Sequence, residues 1–349
     1  MSELLRRSAS RLDLRHGRVE MAHGSGGRAM AQLVDELFLR HLDDPRLRAR
    51  DDSARFAVGA GTMVMSTDSH VVSPLFFPGG DIGALAVNGT INDIAMSGAR
   101  PLHLAAGFVL EEGLALADLE RIVASMARAS RAAGVPVIAG DTKVVERGKA
   151  DGVFITTTGV GMVPPGVRIC GDRARPGDAV LLSGSIGEHG IAVMSTRESL
   201  GFETEIRSDS AALHELVAAM VAVAPDIHCL RDPTRGGLAT TLNELACQSG
   251  VGIRIRERDI ALRDDVAAAC ELLGFDPLYV ANEGKLVCIC DASDAARVLD
   301  VMRASPLGID ATCIGAVVAD PDCFVHMETA FGGARVVDWL AGDQLPRIC

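Results

Sequence analysis

Pro164-Pro165-Gly166 interrupts the chain close to its middle, and helix-period and strand-period segments run mixed on both sides of it. A Pro-Pro-Gly run continues neither a helix nor a central strand, so it marks a linker between two blocks. With 349 residues, each block has the length of an ordinary domain and can bury its own core. The aromatic share is only 3%, so those cores are built from Ala, Val, Leu, Ile and Met.

In the first block, Met30, Leu33, Val34, Leu37 and Phe38 have the i, i+3, i+4 spacing of an amphipathic helix over 28–42. Ala54–Val58 and Thr62–Ser66, separated by Gly59-Ala-Gly61, read as a β-hairpin whose second strand ends at Asp68. A helix is expected over 81–97, stopped by Gly98 and Pro101. Strand 102–110, helix 116–133 and strands 135–139 and 153–163 complete an α+β block. The second block repeats the mixture, with strands at 179–182, 252–255, 285–290 and 312–318. Helices fall between them at 187–198, 210–223, 237–249, 264–273 and 292–303. Beyond Asp320 no strand or helix pattern is evident, and the end of the chain reads as a mobile tail.

The net charge of −12 argues against a general nucleic-acid binder, which needs a positive face for phosphates. No apolar run is long enough to span a bilayer, and the basic start is not followed by an export signal's apolar stretch. Nine cysteines, none in a C-x-x-C arrangement, suit reduced thiols in a cytoplasm. Cys288 and Cys290 would share one face of a strand and read as buried apolar thiols rather than as a metal site.

A P-loop is absent, as is the kinase H-R-D set. Gly24-Ser-Gly26-Gly27 opens a helix, but the residues before it are too polar for a buried dinucleotide-binding strand. That stretch is either a phosphate-binding helix start or a turn without ligand. Asp81, Asn88 and Asn92 fall within about 40° of one another on the second helix, with Asp93 beside them. The rest of that helix is apolar, so these polar groups need partners: structural hydrogen bonds, or a cation or nucleotide. Asp52, Asp68 and Asp141 sit where strands or turns end, as hard oxygen ligands suited to Mg²⁺. Together they describe an acid-lined Mg-nucleotide site. Asp232, in Arg231-Asp-Pro-Thr-Arg-Gly-Gly237, precedes another helix start, and Glu283 lies at an element junction.

Several of these stretches carry a resemblance: Ala22-His-Gly-Ser-Gly-Gly27, Thr67-Asp-Ser-His-Val-Val-Ser-Pro74, Val87-Asn-Gly-Thr-Ile-Asn-Asp-Ile-Ala-Met-Ser-Gly-Ala99 and Gly140-Asp-Thr-Lys-Val-Val145 among them. With Arg231–Gly237, Asn282-Glu-Gly284 and the closing Pro346-Arg-Ile-Cys349, the sequence resembles the HypE family of nickel–iron hydrogenase maturation factors. Its acidic motifs are shared across the wider PurM-like, AIR synthase-related superfamily.

The resemblance implies a two-domain PurM-like α+β fold with a flexible extension at 1–20 and an ATP-binding, dimerising domain at 21–165 whose sheets pair between protomers. A second α+β domain at 166–330 and a mobile tail at 331–349 follow. It implies an ATP-dependent carbamoyl dehydratase that turns an S-carboxamide on Cys349 into a thiocyanate, the source of a cyanide ligand for the hydrogenase iron. The alternative is a small-molecule kinase or synthetase of the selenophosphate synthetase or thiamine-monophosphate kinase type.

By resemblance, Cys349, Glu283 and Lys143 are catalytic, with Glu283 the base and Lys143 its helper. Gly24, Gly26, Gly27, Asp68, Asn88, Asp141 and Asp232 would bind ATP, and Asp52, Asp68, Asp81 and Asp93 would bind Mg²⁺. The implied partners are a second copy of the chain, the carbamoyltransferase HypF and the HypC–HypD complex, all cytoplasmic, with no nucleic acid or membrane.

Overall fold

The computed structural model describes residues 12–24, 28–49, 56, 58–59, 61–197, 205–340 and 347–349. Short helices come first, Arg28–Leu33 (α1), Leu39–Leu42 (α2) and Pro45–Ala49 (α3), with a π-helical turn at Val34–Phe38 between α1 and α2. Next are strand Thr62–His70 (β1), the two-residue strands Phe76–Phe77 (β2) and Gly80–Asp81 (β3), and helix Ile82–Ala95 (α4). Strand Arg100–Glu111 (β4), helix Leu116–Ala133 (α5) and strands Val137–Val145 (β5) and Val153–Val163 (β6) complete the first half.

These strands form a four-stranded sheet in the order β1-β6-β4-β5. The expected hairpin is not formed: β1 pairs antiparallel with β6 along its whole length, from Thr62↔Val163 to His70↔Ile155. Of the stretch 54–58, only Phe56 and Val58 are described, and neither is in a strand. β5 is longer than expected and runs through Asp141 and Lys143, which therefore lie within the strand rather than after it.

One face of the sheet carries α4 and α5. Buried Leu116, Leu119, Ile122, Val123 and Met126 give α5 its apolar stripe, and Gly134 ends the helix in the left-handed conformation at φ +66°. α4 is buried nearly all round because α5, the sheet and the second half each take a side of it. Its close approach to α5 depends on Gly83, where a Cβ would lie 2.2 Å from the Ile122 carbonyl oxygen.

The second half contains β7 (Ala179–Leu182), α6 (Glu188–Arg197), α7 (His214–Val223), β8 (Cys229–Arg231), α8 (Gly237–Ser249) and β9 (Gly252–Arg256). α9 (Asp264–Leu273), β10 (Val287–Cys290), α10 (Ala295–Ala304), β11 (Thr312–Val318), β12 (Val325–Glu328) and β13 (Ala334–Val336) follow. Its seven strands are ordered β13-β12-β9-β11-β7-β10-β8. β12 and β13 were not expected. In β12 only Val325 and Met327 point inward, an alternation too short to register, and the strand forms by pairing parallel with β9. Cys288 and Cys290 are fully buried in the apolar layer between β10 and helices α7 and α10, and all nine cysteines are free. No helix among the described residues is long and apolar enough to cross a membrane.

Candidate active site

Glu283 sits at the junction of the two halves on a backbone held from three directions. Asp209 accepts hydrogen bonds from the Glu283 and Gly284 amides, each 3.1 Å, and from Lys285 Nζ. Asn92 on α4 donates to the Glu283 carbonyl. Neighbouring Asn282 donates to the Pro233 and Val280 carbonyls and accepts from the Gly187 amide. Its side chain is thus aimed by fixed main chain into a space where it is 3% exposed. Oε1 of that carboxyl has no hydrogen-bond partner among the described residues. Burial, then the negative charges of Asp232, Asp209, Asp68 and Asp93, raise its pKa well above the usual carboxylate range.

Besides Asp209, the acids that act on Glu283 come from three places in the fold. Asp232 follows β8 and is pushed up to about 7, by burial first and then by Asp93. Asp93, on the last turn of α4, is also raised by burial, although Ser66 Oγ donates to it across 2.7 Å. Asp68, on β1, remains one-third exposed and lies 3.4 Å from Nε2 of buried His70. Arg235, an exposed cation of the loop before α8, acts on Asp93, His70 and Cys349.

Cys349 completes the cluster. The Val71 amide donates to its carbonyl, and the Ser73 amide donates to that of Arg347. Ile348 is 3% exposed and belongs to an apolar cluster to which both halves contribute. The Cys349 thiol faces Glu283, and burial followed by that carboxyl's charge pushes its pKa far up. In this docked position the thiol keeps its proton and is a poor nucleophile.

The arrangement is a buried acid with a free oxygen, a thiol against it, and further carboxylates beside Arg231 and Arg235. The N-terminal domain of AIR synthase related proteins matches residues 50–163, and their C-terminal domain matches 175–328. The carbamoyl dehydratase HypE of Azotobacter vinelandii is 68% identical over 97% of this chain and 100% of its own length. The chain belongs to the HypE family. A HypE crystal structure in complex with ATP superposes with a TM-score of 0.92 at 51% identity, covering 95% of this chain and 99% of that one. A HypE–HypF complex matches with a TM-score of 0.78 at 46% identity, over 88% of this chain and 99% of that one.

As a HypE-family carbamoyl dehydratase the protein is an enzyme of hydrogenase maturation, and its α+β architecture is the PurM-like one. The small-molecule kinase alternative gives way to this assignment. The HypE resemblance also sorts the residues singled out in the sequence. Asp68, Asp93, Asp232, Glu283 and Cys349 meet in one cluster.

Asp81 is not a member of it. It caps α4, its Oδ1 accepting from the Gly83 and Ala84 amides, and twelve residues of helix set it about 18 Å from Asp93. Asn88 donates to Ser210 Oγ, so the polar stripe of α4 is a helix cap followed by braces to the second half.

Asp141 and Lys143 form an exposed ion pair, 2.6 Å, on β5. The register Asp68↔Thr157, Ala106↔Thr157, Ala106↔Gly140 spans the sheet, three strand spacings or about 14 Å. Within one chain the Asp141–Lys143 pair thus lies three strands from Asp68 of the cluster. Gly24 closes a 3₁₀ turn, Met21–Gly24, that packs against β5. Gly26, Gly27 and Asp52 lie outside the described residues. Sequence reasoning missed Asp209, Ser66 and His70 as members of the site. Ser66, His70 and Arg235 lie in or beside stretches already singled out. Asp209 stands in a segment with no pattern to mark it.

Proposed function

We propose that the protein dehydrates an S-carboxamide carried on its own Cys349 to a thiocyanate, consuming ATP. The supporting observation is the Cys349 thiol against the buried Glu283 carboxyl with its unpartnered oxygen. A carboxamide oxygen is a poor leaving group, so the γ-phosphoryl of ATP is transferred to it and ADP departs. Loss of one N–H proton accompanies that step. Breaking the C–O bond then expels phosphate, and loss of the second N–H proton leaves S–C≡N.

Glu283 is placed to take those protons. Burial first, and then the charges of Asp232, Asp209, Asp68 and Asp93, raise its pKa and make it a stronger proton acceptor. Positive charge entering the cluster would lower that pKa. Asp68, Asp93 and Asp232 are the residues that would hold Mg²⁺, which supplies charge neutralisation for the phosphoryl oxygens. Hard carboxylate oxygens and the orphaned Glu283 Oε1 suit such a cation. No three His, Cys, Asp or Glu side chains among the described residues converge tightly enough to hold a metal unaided. Burial of the docked tail keeps water from the activated intermediate.

The chain would work as a homodimer joined through its four-stranded sheets. The face opposite α4 exposes Met63 and Met65 on β1, an apolar surface suited to a second sheet. Such pairing is a route by which Lys143 and Asp141 of one copy could reach the cluster of the other. Carbamoyl loading by HypF needs the thiol undocked and ionised, and the HypE–HypF complex of a relative supports that partnership. Passing the nitrile on to iron is the role proposed for HypC–HypD. A cytoplasmic setting suits nine free cysteines.

Mass spectrometry of protein carbamoylated at Cys349 with cyanate, before and after Mg-ATP, tests the reading. Loss of one water from the Cys349 peptide only with ATP is the expected result. Hydrolysis of ATP with Cys349 unchanged would overturn it.

A further inference from the structure

Residues 347–349 lie along residues 71–73, and their carbonyls alternate in direction. Those of Arg347 and Cys349 turn toward the Ser73 and Val71 amides, 3.2 and 3.1 Å away. The Ile348 carbonyl between them is directed to the second half instead. A buried carbonyl needs a donor, and here the donor is a histidine from the second half. His189, the second residue of α6, is fully buried, with Nε2 2.8 Å from the Ile348 oxygen.

The imidazole is fixed in turn. Because Nε2 donates to a carbonyl, a neutral ring must accept at Nδ1, and Ser208 Oγ lies 2.8 Å from that atom. Burial lowers the pKa of the ring and favours the neutral form. The Phe77 ring stands at 90° to it with centroids 5.4 Å apart, fixing its plane. Arg197, at the other end of α6, donates to the Ser73 and Arg347 carbonyls. One helix of the second half thus grips the tail at two successive carbonyls.

We propose that His189 is a positioning residue for the dehydration: by donating Nε2–H to the Ile348 carbonyl it sets the register in which the next side chain, Cys349, meets Glu283. Ser208 selects the tautomer that can do so. The inference rests on the reading of Cys349 as the reacting thiol, but the geometry of the free thiol can be measured without any chemistry on it.

The test is site-resolved alkylation of the full-length protein by iodoacetamide without ATP, followed by peptide mass spectrometry. In His189→Ala, Cys349 should alkylate about tenfold faster, the equivalent of one lost buried hydrogen bond. Exposed Cys170 and Cys247 should keep their rates and buried Cys229 and Cys270 should stay protected. His189→Gln, whose amide nitrogen can stand where Nε2 stands, should return Cys349 to the wild-type rate. With Cys349 carbamoylated beforehand, single-turnover dehydration in His189→Ala should fall by a similar factor at saturating ATP, with the KM for ATP unchanged.

An unchanged Cys349 rate in His189→Ala overturns the proposal. So does a rise shared by Cys229 and Cys270, or a Gln variant as reactive as the Ala variant. Because alkylation precedes carbamoyl chemistry, failure of the thiocyanate reading would leave this result standing, and the converse holds as well.

Discussion

The side-chain amide of Asn92, on α4, donates to the main-chain carbonyl of Glu283 across 3.3 Å. The same nitrogen donates to Ala211 at 3.0 Å, and its oxygen accepts from the Leu213 amide at 2.8 Å. A residue of the first half thus holds the main chain of the candidate base in the second.

Replacing Asn92 with Leu keeps the branched outline but leaves the Leu213 amide and the Ala211 carbonyl short of a partner, and leaves the Glu283 carbonyl with only the Ala211 amide as donor. A loss of roughly 2–4 kcal/mol in unfolding free energy is expected, read from denaturant titration. Dehydration should slow as Glu283 loses its anchor. A variant of normal stability that lost only ATP affinity would instead make Asn92 a nucleotide contact.

Glu283→Gln retains size and the hydrogen bonds to Asp209 but cannot take a proton. Dehydration of carbamoylated Cys349 should fall at least about 100-fold, while ATP binding measured by calorimetry persists. Retention of near-normal turnover would move the base elsewhere in the acid cluster.

Asp232 fixes the sign of a pH effect. Its folded pKa of about 7 lies above the unfolded value of about 3.9, so the folded state binds the extra proton. Stability from this group is therefore present at low pH and is lost as pH rises from about 4 to about 7. Buried His70 and His189, whose pKa values are lowered, act oppositely below about 6.5, so the comparison must be made between variants. Asp232→Asn should gain roughly 4 kcal/mol over wild type at pH 8 and little at pH 4. Mg-ATP should stabilise wild type more at pH 8 than at pH 6. Equal gains at both pH values would show Asp232 to be an ordinary carboxylate.

The legible parts of the sequence are those in which one segment carries its own pattern. The helices Leu116–Ala133, Gly237–Ser249 and Asp264–Leu273 begin and end where apolar spacing and glycine stops place them. β1 was legible as a strand but not in its pairing, because its partner, β6, is ninety residues away in the chain and no local turn announces it. The polar stripe Asp81, Asn88, Asn92 was visible as a stripe. Whether it served a ligand or a neighbouring domain depended on Ser210, Ala211 and Leu213, which only tertiary contact brings to it. Asp209 was missed for the same reason, since its partners are main-chain amides of residues 283 and 284.

The placing of Lys143 decides whether one chain makes a complete site. On β5, paired with Asp141 and exposed, it stands at the opposite edge of the sheet from the strand that carries Asp68. If dimerisation brings it to the partner's cluster, Lys143→Ala and Glu283→Gln homodimers should each be inactive, yet chains co-expressed in equal amounts should recover activity. Half of randomly formed dimers are mixed, and each mixed dimer then has one intact site of two, so roughly a quarter of wild-type activity is expected. Single-turnover assay of the purified mixture measures it. Were Lys143 to serve its own chain's Glu283, every site in the mixture would carry at least one defect, and the activity would stay at the level of the separate variants.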